Sequence, residues 1–242
     1  MRTQSQALKI RWFQDLYKMY SRLELTNYSD RPIAIKGLEM RLLRAFGTKG
    51  GYGIFDDGES PEGGLFHRSL LWRRGKDEAR LEPINFPIGW GMRLPSWSWM
   101  AYKGGIDYMD PPFGAVDWER KEVVPPWTRG RSTIAELAPE DDKVALTATV
   151  RAFSVAGRRA GEAELVYDID MTGLDGQRPQ CIIVAKSKDG RAERDKMCHV
   201  LLVGPTRETT GRGEKVYKRV GVGVMLGKYI DLEAPGTIAR IY

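Results

Sequence analysis

Two histidines and two cysteines are all that the 242 residues offer to a soft metal. A zinc site needs about four clustered ligands. Only Cys198 and His199 are adjacent, and neighbours along a strand point to opposite faces. The composition therefore points away from a metal centre. The chain also has no Gly-x-Ser-x-Gly elbow to expose a serine nucleophile. His67 reads as a surface or helix-packing residue and His199 as a half-buried strand residue. The carboxylate pairs Asp56-Asp57 and Asp141-Asp142 sit among turn residues, where no second group is placed to complete an acid–base pair. Gly221-Val222-Gly223-Val224-Met225-Leu226-Gly227-Lys228 fails as a phosphate loop. Its glycines are wrongly spaced, and Tyr229 stands where a hydroxyl should follow the lysine. It reads better as a strand whose glycines admit a close neighbour. No catalytic residue and no cofactor are expected.

No apolar run is long enough to cross a bilayer, and Met1–Gln6 lacks the apolar core of a signal peptide. Cys181 and Cys198 lie in apolar runs and read as reduced, buried thiols of a cytoplasmic protein, with a single disulfide left open. The net charge of +6 is dispersed. With no long basic tract and no nucleic-acid module, nucleic acid is not an expected partner.

What is present centres on Leu94-Pro95-Ser96-Trp97-Ser98-Trp99-Met100-Ala101-Tyr102, which holds two of the seven tryptophans. Read as a strand, it points Trp97, Trp99 and Ala101 to one face and Ser96, Ser98 and Tyr102 to the other. Lys103-Gly104-Gly105 then supplies a turn, and Ile106–Met109 returns as a second strand. The two indoles are expected to form a core, with their N–H groups partnered inside the protein.

Ahead of this stretch the pattern is helical. Leu8, Trp12, Leu16 and Tyr20 fall four apart, widened by Phe13, Tyr17 and Leu23, which predicts an amphipathic helix over 7–23. A second helix, capped by Ser29 or Asp30, runs through Ile35, Leu38, Leu42 and Phe46 to Gly47. Lys49–Ser60 reads as an exposed loop, and Ser60-Pro61-Glu62 as a further helix start. Beyond Tyr102 the pattern turns extended, with strands expected at Val144–Phe153, Ala163–Ile169, Cys181–Lys186, His199–Val203, Val216–Leu226 and Tyr229–Leu232. The expectation is one α+β domain over 1–242. Helices in 1–75 pack on a mainly β part, 94–242, an antiparallel assembly that is barrel-like or sandwich-like.

One family shows the same order of landmarks. Trp12, Tyr20-Ser21-Arg22, Leu25-Thr26, Ser29-Asp30-Arg31 and Ala34-Ile35-x-Gly37 open the series. Gly64-Leu65-Phe66, Leu70-Leu71-Trp72, Arg93–Trp99 and Tyr217–Gly223 continue it. Together they resemble the region that follows the signalling domain of fungal heterokaryon-incompatibility proteins. That domain, similar to a Toll/interleukin-receptor fold, has no counterpart among these residues. The resemblance thus implies an accessory C-terminal half or a shortened relative, acting in non-self recognition and the control of programmed cell death. It carries over no catalytic residue. The expected function is a non-enzymatic recognition module whose partner is a protein or an upstream signalling domain. The alternative is a small-molecule cyclase or isomerase of fungal secondary metabolism, with an aromatic-lined pocket. For either reading the candidate contact residues are Ser96, Trp97, Ser98, Trp99, Tyr102, Tyr108 and Trp127.

Overall fold

The computed structural model describes residues 2–58, 64–87, 94–129, 144–170, 177–211 and 213–242. The fold is α+β, with helices confined to the front of the chain and a large, mostly antiparallel sheet behind them. The chain forms two compact units. One is Met1–Leu94 with Ser98–Asp110, the other Pro95–Trp97 with Pro111–Tyr242. The boundary runs through the tryptophan stretch, and not between a 1–75 part and a 94–242 part.

The first unit begins with α1 (Arg2–Ser21). Its buried face carries Ile10, Phe13 and Tyr17, which are 3%, 0% and 0% exposed. Leu8 and Trp12 are 70% and 54% exposed. The predicted stripe is therefore split: its Phe13 and Tyr17 edge faces the core, while Leu8 and Trp12 are turned out to solvent. Two apolar faces with helical spacing compete on this helix, and the one richer in rings that pack on Phe55 and Tyr108 is buried.

A 3-10 turn over Tyr28–Asp30 leads into α2 (Arg31–Phe46). Asp30 occupies the capping position but makes no side-chain capping bond, so the start rests on Pro32 in the first turn. Gly47, at φ 65°, ends the helix as expected. Arg31 is wholly buried and donates to the carbonyls of Tyr102 (2.6 Å) and Ser21 (2.8 Å).

Lys49–Ser60 is not an exposed loop where it is described. β1 (Lys49–Gly51) and β2 (Ile54–Asp56) form a hairpin, with Ile54 and Phe55 fully buried. The turn residues Tyr52 (φ 58°) and Gly53 (φ 81°) both have positive φ, as a primed two-residue turn requires. The predicted helix start at Ser60-Pro61-Glu62 lies outside the described residues. α3 (Leu65–Leu70) follows, then β3 (Trp72–Arg74) and β4 (Glu82–Pro83). β5 (Tyr102–Lys103) pairs with β4 and β6 (Ile106–Tyr108) pairs with β3, so the expected hairpin between 102 and 109 does not form.

The second unit contains β7 (Val116–Trp118), β8 (Val123–Val124), β9 (Leu146–Val150), β10 (Ala163–Tyr167), β11 (Gln180–Ser187), β12 (Met197–Thr209), β13 (Lys215–Leu226) and β14 (Thr237–Ile241). The sheet order is β7-β11-β12-β13-β14-β9-β8, with only β13–β14 parallel among the described pairs. Arg151, just past β9, exchanges both backbone hydrogen bonds with Cys181 of β11, at 2.8 and 2.9 Å. The path from β11 through β12, β13 and β14 to β9 therefore returns to its start, in the manner of a small barrel.

β10 lies along the second half of β13, opposite its glycines. A Cβ on Gly221 would stand 2.3 Å from the Val166 carbonyl, and one on Gly223 2.5 Å from Leu165. This bears out the reading of the glycine run as a closely packed strand. Cys181, Ile183, Cys198, Val200, Leu202, Val220, Met225 and Ile230 form the core beneath. Tyr229–Leu232 is not a strand. A 3-10 turn over Gly227–Tyr229 is followed by a single bridge from Ile230 to Phe153.

Candidate functional site

Leu94–Tyr102 is not a strand. Ser96 and Trp97 lie in a turn, and Trp99–Ala101 make one 3-10 turn before β5. Short polar side chains dictate this. The Ser98 hydroxyl accepts from the Met100 N–H (3.2 Å), capping that turn, and donates to the Tyr52 carbonyl (2.8 Å). In the second unit, the Ser96 hydroxyl accepts from the Arg219 N–H at 2.9 Å and donates to the Tyr242 carbonyl. Serine hydrogen bonds, one local and three to distant backbone groups, thus replace a ladder, and strand alternation does not govern where the indoles point.

Trp97 and Trp99 are both fully buried, each in a different unit. Trp97 donates its indole N–H to the Val144 carbonyl at 3.0 Å. Trp99 packs on Tyr17 and Tyr20, with ring centroids 5.1 and 6.2 Å away. Contrary to expectation, its buried Nε1 has no hydrogen-bond partner among the described residues. Tyr102 packs on Trp72 (5.7 Å) and Tyr108 on Phe13 (5.9 Å), and both tyrosines are buried. Trp127 is half-buried in a 3-10 turn, Pro126–Arg129. Ser98, Trp99, Tyr102 and Tyr108 therefore belong to the first unit, and Ser96, Trp97 and Trp127 to the second. The structure fills two cores with most of these residues.

The ionisable groups within the cores are structural in their surroundings. Glu39 accepts the Gly53 N–H at 2.6 Å, which holds the tight turn of the β1–β2 hairpin. Burial pushes its carboxyl above the usual range. Burial, followed by the Glu39 charge, also pushes up the Tyr17 phenol, whose hydroxyl has no partner. Cys181 and Cys198 are free thiols, both pushed up chiefly by burial, Cys198 to about 11. High thiol pKa values remove the thiolate that a nucleophile or soft-metal ligand needs. Among the described residues no group of three or more His, Cys, Asp or Glu could hold a metal ion. Among the described residues no helix is long and apolar enough to cross a membrane. In the second unit, Arg219 and Asp168 form an ion pair at 2.9 Å in which both residues are 1% exposed.

Two surface features remain. The first is the outward stripe of α1. Leu8, Trp12 and Met19 lie within one narrow arc at 3.6 residues per turn, and Leu23 extends it just past the helix end. Met19 and Leu23 are 68% and 53% exposed. Trp12 packs edge-on against Phe46 at 6.3 Å, and Lys9 lies over the same Phe46 ring. Arg11 flanks the stripe in solvent.

The second feature is a groove of about 620 Å³ in the second unit, where β11 and β13 begin and β12 and β9 end. Its floor includes Phe153, Pro179 and Tyr217, and Arg178, Arg207 and Lys215 stand around it.

The chain matches no family model, no curated protein and no solved structure. The sites therefore rest on geometry. Reading the sequence missed the groove because its walls come from four separated segments, none carrying a motif. The stripe was legible, but only its Phe13 and Tyr17 edge is core, and Leu8, Trp12 and Leu23 face solvent.

Proposed function

We propose that the chain is a non-enzymatic recognition module, and that the outward face of α1 is where it meets a protein partner or a signalling domain. The observation that carries this reading is the exposure of Leu8, Trp12, Met19 and Leu23 on one side of a helix whose other side is already buried. Large apolar side chains gathered in solvent mark an interaction site more often than an idle surface. A tryptophan among them is the type of residue that dominates interface energetics. The resemblance to heterokaryon-incompatibility proteins supports the same reading and gives it a setting, non-self recognition and the control of programmed cell death in a fungal cytoplasm. The burial of Trp97, Trp99, Tyr102 and Tyr108 weighs against the alternative of an aromatic-lined pocket for a cyclase or isomerase.

The test is a photoreactive phenylalanine analogue placed at position 12 in fungal cells, with the same analogue at exposed Asp189 as control. The expected result is a discrete protein adduct from position 12 that is absent from the control and lost when Leu8 and Met19 become glutamate. Equal or absent adducts at both positions would overturn the assignment.

A further inference from the structure

The groove of the second unit is a separate matter from the α1 face, and its chemistry points to a ligand of another kind. Ligand sites form preferentially in the mouths of β-barrels and enclose about 300–1,000 Å³. This groove has both properties. It opens where the strand path closes on itself, beside the Arg151–Cys181 bridge, and encloses about 620 Å³.

Its lining divides into two chemistries. Half-buried Phe153, Pro179 and Pro205 offer flat apolar surface above the buried Tyr217, and Phe153 also packs against the core. Arg178, Arg207 and Lys215 place three cations around that surface, against one carboxylate, Glu208, among the described lining residues. The Tyr217 hydroxyl donates to Gln180 Oε1 at 2.7 Å. That bond fixes the Gln180 amide so that its Nε2, the donor end, is the end that can serve an anion. Tyr217 itself is 3% exposed and Val216 beside it 5%, so the floor is fixed by the barrel while the cations stand in solvent. Fixed apolar floor, oriented amide donor and net positive rim are the requirements of a site for a small acid with a flat body. They do not suit a long polyanion, which needs a basic track.

We propose that this groove binds a small organic anion. An acidic headgroup, carboxylate or phosphate, is held by Arg178, Arg207, Lys215 and the Gln180 amide, and an apolar body lies on Phe153 and Pro179. Charge-assisted contacts at an exposed rim lose much of their strength to water, so isolated fragments bind weakly and the two halves of the ligand reinforce each other.

The test uses the full chain, labelled with ¹⁵N, titrated separately with phenyl phosphate, benzoate, inorganic phosphate and benzyl alcohol. Phenyl phosphate or benzoate should move the amide signals of Ala152, Gln180 and Tyr217. Inorganic phosphate and benzyl alcohol should each bind about tenfold more weakly than phenyl phosphate, each lacking one half of the recognition. The double variant Arg178→Glu with Lys215→Glu should weaken phenyl phosphate at least about tenfold. If that variant does not fold, Arg178→Gln and Lys215→Gln singly should each weaken it severalfold. Equal affinity for benzyl alcohol and phenyl phosphate would overturn the proposal. So would unchanged affinity in the charge variants, shifts confined to residues outside the groove, or saturation only by a long acidic peptide.

Discussion

Replacing Asp168 by alanine should unfold the second unit far more readily than its single lost carboxylate suggests. Arg219 meets Asp168 Oδ2 through Nε at 3.1 Å and through a terminal nitrogen at 2.9 Å. Both residues are 1% exposed, so water is not at hand to take over either partner. Removing one member of a buried pair leaves an uncompensated charge and typically costs about 3–5 kcal/mol. For a chain of this length that is a fall in melting temperature of about 6–20 °C. The charge and the shape can be separated. Asp168→Leu combined with Arg219→Met removes both charges while keeping apolar volume, and should recover most of the loss, since such swaps are often neutral or better. Urea is the denaturant to use, because it adds no ionic strength to screen the exposed charges elsewhere on the chain. Midpoints of the parent, Asp168→Leu, Arg219→Met and the double variant form a closed cycle. A loss below about 1 kcal/mol for Asp168→Ala would place the pair in the range of exposed ion pairs and refute the argument. A double variant no better than the single ones would show that shape, and not charge, sets the cost.

Three other outcomes are expected. Gly53→Ala should cost at least about 1–3 kcal/mol, because Gly53 sits at φ +81° and an added Cβ would stand 2.3 Å from Trp99 Nε1; an unchanged urea midpoint would refute it. The Glu39 carboxyl is raised above 4.5 in the fold, so the native state holds its proton more tightly than the unfolded chain does. Its contribution to stability is then full below pH 4.5 and falls as the pH rises through the folded value. Glu39→Gln should remove that part of the slope in urea midpoints measured from about pH 4 to pH 7, and an identical slope would refute it. With the Cys198 thiol at about 11 and that of Cys181 pushed up further, neither should react with a colorimetric disulfide reagent at about pH 8 until the protein is unfolded. Rapid labelling of the folded chain would contradict their burial.

The α+β division was legible because periodicity changes along the chain, and the long strands β11, β12 and β13 announce themselves by continuous apolar runs. Six of the eight predicted strands correspond to observed ones, and the tryptophan stretch and Tyr229–Leu232 do not. The failures share one cause. Where two local patterns compete, the sequence carries both and packing chooses. α1 offers an apolar stripe on each side, and only the presence of Phe55 and Tyr108 selects Phe13 and Tyr17. The Trp97–Trp99 spacing fits strand alternation, but Ser96 and Ser98 make hydrogen bonds to residues far away in sequence, Tyr242 and Tyr52. The β1–β2 hairpin hides in a glycine-rich segment because its turn puts a tyrosine at positive φ, which composition alone disfavours. Which edge of the α1 stripe stays in solvent depends on packing, and the groove exists only once the barrel closes.

The three residues Pro95–Trp97 belong to the second unit although the first unit resumes at Ser98. The chain thus leaves one core, deposits a single indole in another, and comes back. A polypeptide begun at Pro111 would lack the side chain that bonds the Val144 carbonyl and the hydroxyl that meets the Arg219 backbone. One ended at Leu94 would lack the ring against Tyr17. Neither unit can be cut out intact at one point in the gene. During synthesis, Trp97 emerges from the ribosome long before the strands that will enclose it. Until Pro111–Tyr242 have followed, that indole is an exposed apolar group, and transiently exposed apolar surface is what a chaperone covers.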